Sequence, residues 1–494
     1  MSGVKKFIND TLIYGLTTIL SRMLGFVITP ILTRNFPSAS YGIFNYMYAY
    51  ASLLNAVLAF GMETTFFRYI QKFEGDKKKV YDSSFFVTLI TALIFVVSVF
   101  VFAEPIANWL GSGDQVSDYI LYVKLVGLII GVDAMAVVPF AKLRSDGRPI
   151  RFGAVKVINI LTYLGITLFF LYGLPWLVEK YSFWQDITAG WFRKGWIGNI
   201  FIANLVASLV TLLMLLPQLS TFRFRIEKTL LRSMLWYSFP IMIANISFII
   251  NENLDKMMIP RLMPGKEGIM ELGIYGAATK MAMFLNIFVM AFRLGAEPFF
   301  FANAQKENAR QTYAQIMKYF VIAMLIVMLG LCANLDWLKY YIPGSKENIS
   351  AYWGGLFIVP VLLFNYMLLG IYINLSVWYK LSDQTRYGLY ISGIGAIVTI
   401  ILNFLFIPSY SYVGAAVSTT VTYLIMVTLS FIWGQKNYSI PYDVRKIMIY
   451  IVIGVGLSVL AFNVNIWLAN MILIFFLATV VYLEKDLIRK FLKR

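Results

Sequence analysis

The sequence predicts an all-α polytopic membrane protein: 14 transmembrane helices, grouped as two pseudo-symmetric six-helix lobes and a C-terminal helix pair. Three observations predict it. Of 494 residues, 60% are hydrophobic and only 14% charged, against about 25% charged in soluble domains, and mean hydropathy is +0.73. Apolar stretches of the roughly 20 residues that a helix needs to cross a hydrocarbon core recur along the whole chain. The first half of the chain also echoes the second at a fixed spacing.

The predicted spans run over residues 11–33, 41–63, 83–103, 117–139, 152–173, 197–217, 234–254, 274–296, 313–335, 353–379, 387–407, 413–433, 448–464 and 466–483. The first has Arg22 at its middle and no small-residue cleavage site, so it reads as an uncleaved span and not a signal peptide. Its successors are separated by short loops, the longest at 174–196 and 336–352, with no inserted soluble domain. The final pair is divided only by Asn463, Val464 and Asn465. About 36 apolar residues would be too long for one crossing, so two spans are expected there. The lobes are placed at 1–232 and 233–447, with 448–494 holding the last pair and a tail.

Charge excludes several functions. The 42 Lys and Arg outnumber the 25 Asp and Glu, for a net +17, and there is no His and a single Cys, Cys332. Ser-His-Asp catalysis, His relays, His-ligated metals, intrachain disulfides and Cys-rich zinc sites all fall away. No catalytic residue, metal or cofactor is expected. A nucleic-acid binder would carry basic clusters on a polar background, which this chain lacks. About two thirds of the basic residues fall in alternate loops together with the two termini, which assigns both termini to the cytoplasm and requires an even number of spans.

The echo is ungapped over seven positions. Tyr41-Gly42, Met47, Gly61, Glu63 and Phe66-Phe67 match Tyr275-Gly276, Met281, Gly295, Glu297 and Phe300-Phe301. A shared Gly-x-Glu-x-x-Phe-Phe frame is a far rarer coincidence than matched apolar residues. It places span 2 on span 8. Six spans per copy is an even number, so the copies are parallel repeats about an axis along the membrane normal, with the transport cavity expected between them.

Polar residues exposed to lipid are costly and should face inward. Span 1 carries Gly15, Thr18, Arg22, Gly25, Thr29 and Thr33 at helical spacing, and span 2 carries Asn45, Tyr48, Ser52, Asn55 and Glu63. Span 7 offers Asn245, Glu252, Asp255 and Lys256; span 8 offers Lys280, Asn286, Arg293 and Glu297. Most Ser, Thr and Asn of such stripes serve helix packing. Arg22 and Arg293 are read as an anion site, with a local i, i+4 pair to Glu297 as the alternative for Arg293. Glu63, Glu252, Asp255 and Glu297 are candidate coupling or ion-pairing carboxylates, and Asn55, Asn245 and Asn286 candidate cavity residues. Lys124 and Lys156 read as rim residues whose heads reach for the interface, and Asp133 as a partner of the helix around Pro139. Trp109, Trp176, Trp184, Trp191, Trp196, Trp337, Trp353 and Trp467 sit near outer boundaries, as an interfacial belt requires.

These features together resemble the MOP superfamily, and within it the bacterial polysaccharide-biosynthesis, O-antigen-type flippases. The resemblance rests on the Arg in span 1, Pro37-x-x-x-Tyr41-Gly42, the frames in spans 2 and 8, and Asp146-Gly147-Arg148-Pro149. It extends to Asn374-Leu375-Ser376-x-Trp378-Tyr379-Lys380 and to Asn403, Pro408 and Gly414-Ala415-Ala416. It implies a MATE-like fold and a polyprenyl-diphosphate-linked oligosaccharide as substrate, flipped across the bacterial cytoplasmic (inner) membrane for surface polysaccharide synthesis. It also implies cationic cavity residues, here Arg22, Arg34, Lys280 and Arg293. Implied partners are the lipid-linked substrate, membrane lipid and polysaccharide polymerase machinery, with no nucleic acid. A lipid II flippase, a MATE-type drug exporter and a membrane glycosyltransferase are the other readings. The drug exporter calls for an acidic cavity, and the transferase for acidic residues in a sizeable outer loop, where only Asp186 and Glu347 stand.

Overall fold

The structure, a computed structural model, describes residues 26–72, 76–111, 116–263, 266–304, 306–344, 349–382 and 384–485. The described residues form helices and connecting turns, with no strand among them. The chain divides into two compact units, Met1–Met257 with Gly265–Ile269, and Met258–Pro264 with Met270–Arg494.

The first unit holds α1 (26–35), α2 (Ser38–Ala59), α3 (Met62–Lys72), α4 (Lys77–Val101), α5 (Ala103–Leu110) and α6 (Val116–Ser145). It continues with α7 (Pro149–Leu168), α8 (Leu174–Lys180), α9 (Ser182–Thr188), α10 (Gly198–Met214) and α11 (Leu216–Leu219). Most of α12 (Lys228–Leu262) also belongs to it. Helix α6 is central, packing against α2, α3, α4, α5, α7 and α10. Met62 and Phe66 of α3, Tyr81 and Phe85 of α4, Val138 of α6 and Met234 of α12 form one buried cluster. That cluster ties the start of α12 to the first unit, and the boundary between units falls near Met257, inside α12 and just past the predicted seventh span. Between α7 and α8, one π-helical turn at Phe169–Gly173 leads into Pro175, whose missing N–H cannot serve a regular helix.

The predicted second span is broken near its end. Phe60 (φ 49°) and Gly61 (φ 65°) are both left-handed, separating α2 from α3. Gly61 is required there: a Cβ would lie 3.0 Å from the Ser238 carbonyl oxygen of α12, on a backbone that disfavours side chains.

The second unit comprises most of α13 (Lys266–Asn303), then α14 (Ala309–Ala333), α15 (Leu335–Leu338), α16 (Ile349–Gly354), α17 (Val359–Leu375) and α18 (Val377–Leu381). It ends with α19 (Arg386–Asn437), α20 (Val444–Phe462) and α21 (Ile466–Leu483). Helix α14 packs against α17, α20 and α21, and α17 against α19.

Among the described residues, eleven helices are long and apolar enough to cross a membrane. The predicted count is 14, and the difference has three sources. Most of span 1 lies outside the described residues. Span 6 is the short apolar helix Gly198–Met214. Spans 11 and 12 are both contained in α19, which is a hairpin: Ser411 (φ 50°, ψ −136°) breaks it. A Cβ on Gly414 would lie 2.4 Å from the Phe406 carbonyl oxygen, so only glycine admits this return. Across the hairpin the Thr399 and Thr422 hydroxyls lie 3.1 Å apart.

The repeat is visible in packing. Tyr41 and Tyr275, Met47 and Met281, and Phe66 and Phe300 are each buried in both copies. Each matched Phe meets a Tyr of the following helix edge-on, Phe66 with Tyr81 and Phe300 with Tyr313. The copies diverge at the glycine, for α13 runs through Gly295 unbroken.

The last helix pair is a hairpin as expected, with Asn465 capping α21 by accepting from the Leu468 N–H at 3.0 Å. Just beyond α21, Glu484 fastens the pair to α14. Its buried carboxylate accepts from Lys318 of α14 and Lys446 of α20, both at 2.7 Å, and from the Tyr450 hydroxyl at 3.0 Å. Burial pushes this carboxyl up, but the hydrogen bonds from Lys318, Lys446 and Tyr450 outweigh it and hold it at about 2, against an ordinary 4.5. Because the folded-state value is depressed, the stabilisation is complete above the ordinary value and is lost as pH falls from 4.5 towards about 2. Glu484→Gln leaves two lysines around an uncharged group and is expected to cost about 3 kcal/mol at neutral pH. Thermal midpoints of wild type and variant in detergent should therefore converge on acidification; a gap that stays constant to pH 2 would refute the clasp.

Candidate functional site

In the first unit, polar side chains gather around α10. Asn204, Ser208 and Thr211 recur at i, i+4 and i+7, one face of a helix. Each reaches a different neighbour. Asn204 donates to the Tyr48 hydroxyl of α2. Ser208 donates to Asp133 of α6 at 2.8 Å, and Thr211 accepts from Asn159 of α7 at 2.9 Å. Lys156 of α7 stands 4.3 Å from the centre of the Phe140 ring on α6. Four helices thus share one internal polar layer. Asp133 serves as an inter-helix acceptor, and Lys156 rests on an aromatic face. The α10 stripe is absent from the sequence reading; its i, i+4, i+7 spacing is the signal that would have found it.

The second unit has a matching layer. Asn365 of α17 donates to the Ala416 carbonyl at 3.0 Å and accepts from Thr420 at 2.7 Å, which pins α17 to the second arm of α19. Asn403 is fully buried on the first arm, one turn from Thr399. Ser411, at the break, donates to Glu271 of α13 at 2.8 Å. Trp378, from the motif that closes span 10, is buried and its Nε1 donates to Ser430 at 3.3 Å.

Arg22 lies outside the described residues, and so does the side chain of Glu297. Arg34 is exposed at the end of α1, and Asn55 is half-buried on α2. Glu63 is exposed and pairs with Arg144 of α6, itself 5.0 Å from the Phe67 ring centre. On α12, Asn245 is exposed, Glu252 is half-buried and Asp255 is buried. Asp255 accepts from the Lys256 N–H at 2.8 Å, while the Lys256 ammonium donates to Asn253 at 2.9 Å and the Glu252 carbonyl at 3.3 Å. On α13, Asn286 is buried and Arg293 half-buried. Seven residues apart, they share a face, whereas Lys280 lies about a third of a turn away and donates to the Met283 sulfur at 3.8 Å. Of the predicted belt, Trp109, Trp176, Trp191, Trp337 and Trp467 are exposed.

These layers suit a polytopic transporter, and comparison of the sequence decides the family. The family described as "Polysaccharide biosynthesis protein" matches residues 7–302, roughly three fifths of the chain. The chain belongs to that family. It is thereby a member of the MOP superfamily, and a second family description, MatE, matches residues 228–405. No curated protein matches it. Among solved structures it is similar to a lipid II flippase MurJ in an inward closed conformation, at 16% identity, covering 97% of this chain and 100% of that one with a TM-score of 0.70. It is also similar to an inward-facing multidrug resistance MATE family transporter of the MOP superfamily, at 15% identity, with coverages of 85% and 94% and a TM-score of 0.64. A MOP superfamily transporter from Pyrococcus furiosus, whose structure is titled for the reversed polarity of its binding pocket, matches at 14% identity, 88% and 94% coverage and a TM-score of 0.59. At these identities the likeness is one of fold. The chain is a membrane transporter of the flippase and exporter type.

The α10 layer makes a ranked prediction. A hydrogen bond to a carboxylate contributes about 1.5–3 kcal/mol, whereas inter-helix bonds between neutral groups in membranes average about 0.6. Ser208→Ala should therefore lower the thermal stability of the detergent-solubilised protein by more than Thr211→Val. The reverse order would show that Asp133 is not the stronger acceptor.

Proposed function

We propose that this protein flips a polyprenyl-diphosphate-linked oligosaccharide across the bacterial cytoplasmic membrane for surface polysaccharide synthesis, with both termini in the cytoplasm. The observation that carries the reading is the match of residues 7–302 to the polysaccharide biosynthesis family. Physical chemistry supports it. A diphosphate bearing sugars cannot cross hydrocarbon without a polar, hydrated route, while its lipid tail never needs to leave the bilayer. Guanidinium pairs with phosphate oxygens, bidentately where geometry allows. Arg22 and Arg293 take the diphosphate, with Arg34 and Lys280 as further cationic contacts and Asn55, Asn245 and Asn286 lining the path. Glu63, Glu252, Asp255 and Glu297 are the carboxylates that respond to a coupling ion or to the membrane potential. The lobes at 1–232 and 233–447 alternate access to the path. Polysaccharide polymerase machinery receives the flipped product.

A lipid II flippase is the second reading, favoured by the full-length likeness to MurJ. The two share a polyprenyl diphosphate and differ in the sugars attached, so the residues that hold the diphosphate serve both.

Arg22→Ala and Arg293→Ala, made singly, should each reduce surface-glycan export by tenfold to a hundredfold, the loss of about 1.5–3 kcal/mol from a charge-assisted contact. Lipid-linked oligosaccharide should accumulate in the same cells. Normal export at normal protein levels in both variants would remove the anion-site role.

A further inference from the structure

Helix α12 has two faces at its start. Leu230, Met234 and Ser238, four residues apart, are buried against the first unit. The adjoining face carries Lys228, Leu231, Arg232, Leu235, Trp236 and Phe239, which line a groove of about 540 Å³ with Phe60 from the break after α2; Leu231, Leu235 and Phe60 form its floor, half-buried against the same cluster. The groove is graded along the helix. Its two cations, one turn apart, stand at the end where α12 leaves the loop; deeper in, every lining residue is hydrophobic. Trp236 is 71% exposed and Phe239 50% exposed, so among the described residues none covers this wall.

The cations are available. The adjacent acid, Glu227, is already paired with Lys79 at 3.0 Å. Lys228 and Arg232 form no ion pair among the described residues. Lys77 and Lys78 at the start of α4 follow one another directly before Lys79, which adds to the positive field at this end. The break that seats Phe60 is held by the close approach of Gly61 to α12, so the groove is built by the fold.

We infer that this groove is a specific site for an anionic diacyl phospholipid of the membrane, its phosphate held by Lys228 and Arg232 and one acyl chain lying against Leu231, Leu235, Trp236 and Phe239. The match is one of charge and of polarity gradient. Guanidinium and ammonium complement a phosphodiester, a Trp at headgroup depth suits the interface, and the apolar wall below suits a chain. On the proposed orientation the leaflet is the cytoplasmic one. None of its lining residues is one assigned to the transported lipid, and its occupancy does not depend on glycan export.

The test uses the full-length protein reconstituted in phosphatidylcholine vesicles that contain either phosphatidylglycerol or phosphatidylcholine with dibrominated acyl chains, which quench nearby tryptophan. The difference between wild type and Trp236→Phe isolates the Trp236 signal. Brominated phosphatidylglycerol should quench that signal more strongly than brominated phosphatidylcholine at equal mole fraction. The double variant Lys228→Gln/Arg232→Gln should abolish the preference, an effect on the order of tenfold in relative affinity. Both substituted side chains are exposed, so an unchanged thermal midpoint verifies the fold. Equal quenching by the two lipids, or a preference that survives the double variant, would overturn the site. Displacement by unbrominated polyprenyl diphosphate but not by unbrominated phosphatidylglycerol would overturn it too, assigning the groove to the transported lipid. Labelling of Lys228→Cys by an impermeant maleimide in intact cells would contradict the orientation alone, leaving the groove to be judged by quenching.

Discussion

Hydrocarbon offers no hydrogen bonds, and this chain must satisfy its polar groups from within. That constraint explains where its few polar side chains stand. The face of α10 supplies three groups to three different helices, so a single stripe of Asn204, Ser208 and Thr211 ties α2, α6 and α7 together. Asn365 does the same between α17 and the second arm of α19. At the membrane boundary the rule relaxes and charge takes over. Glu484 collects two lysines and two tyrosine hydroxyls where α14, α20 and α21 meet, and Glu63 meets Arg144 at the start of α3.

The elements that depend on apolar length were legible in the sequence, because hydrocarbon thickness sets that length whatever the packing. The hairpin at Asn463–Asn465 and the paired arms at 387–407 and 413–433 follow from it. The repeat was legible too, since a frame such as Gly-x-Glu-x-x-Phe-Phe survives as matched burial and matched Phe–Tyr contacts. Backbone conformation was not. Gly61 and Gly295 are equivalent in the repeat, yet one is left-handed and the other lies inside a helix. That difference is made by what approaches: Ser238 lies against Gly61, while open space surrounds Gly295. Partner choice was also hidden. The sequence offered Glu63 as a coupling or ion-pairing carboxylate without naming a partner, and its described partner is Arg144, 81 residues away. Asp133 read as a helix-kink partner, and a serine from another helix meets it.

The net charge of +17 divides in the same way. Most of it lies in loops, where it sets orientation and meets anionic lipid. Lys228 and Arg232 extend that loop charge onto a helix face above an apolar groove. The share assigned to the transported diphosphate is small: Arg22, Lys280 and Arg293 within spans, and Arg34 at the end of α1. A transporter of this kind needs few cations, for a desolvated guanidinium is strongly directional toward phosphate.

The proposed function requires that a diphosphate-linked sugar head group cross the bilayer through this chain. Its most direct measurement is leaflet exchange in vesicles. Purified protein is reconstituted with a fluorescent polyprenyl-diphosphate oligosaccharide, and the fraction of head group open to an impermeant quencher is followed over time. The protected fraction should become accessible only where protein is present, and a phosphate-free lipid carrying the same sugars should stay protected. Protection unchanged from protein-free vesicles, or equal exchange of the phosphate-free lipid, would contradict it.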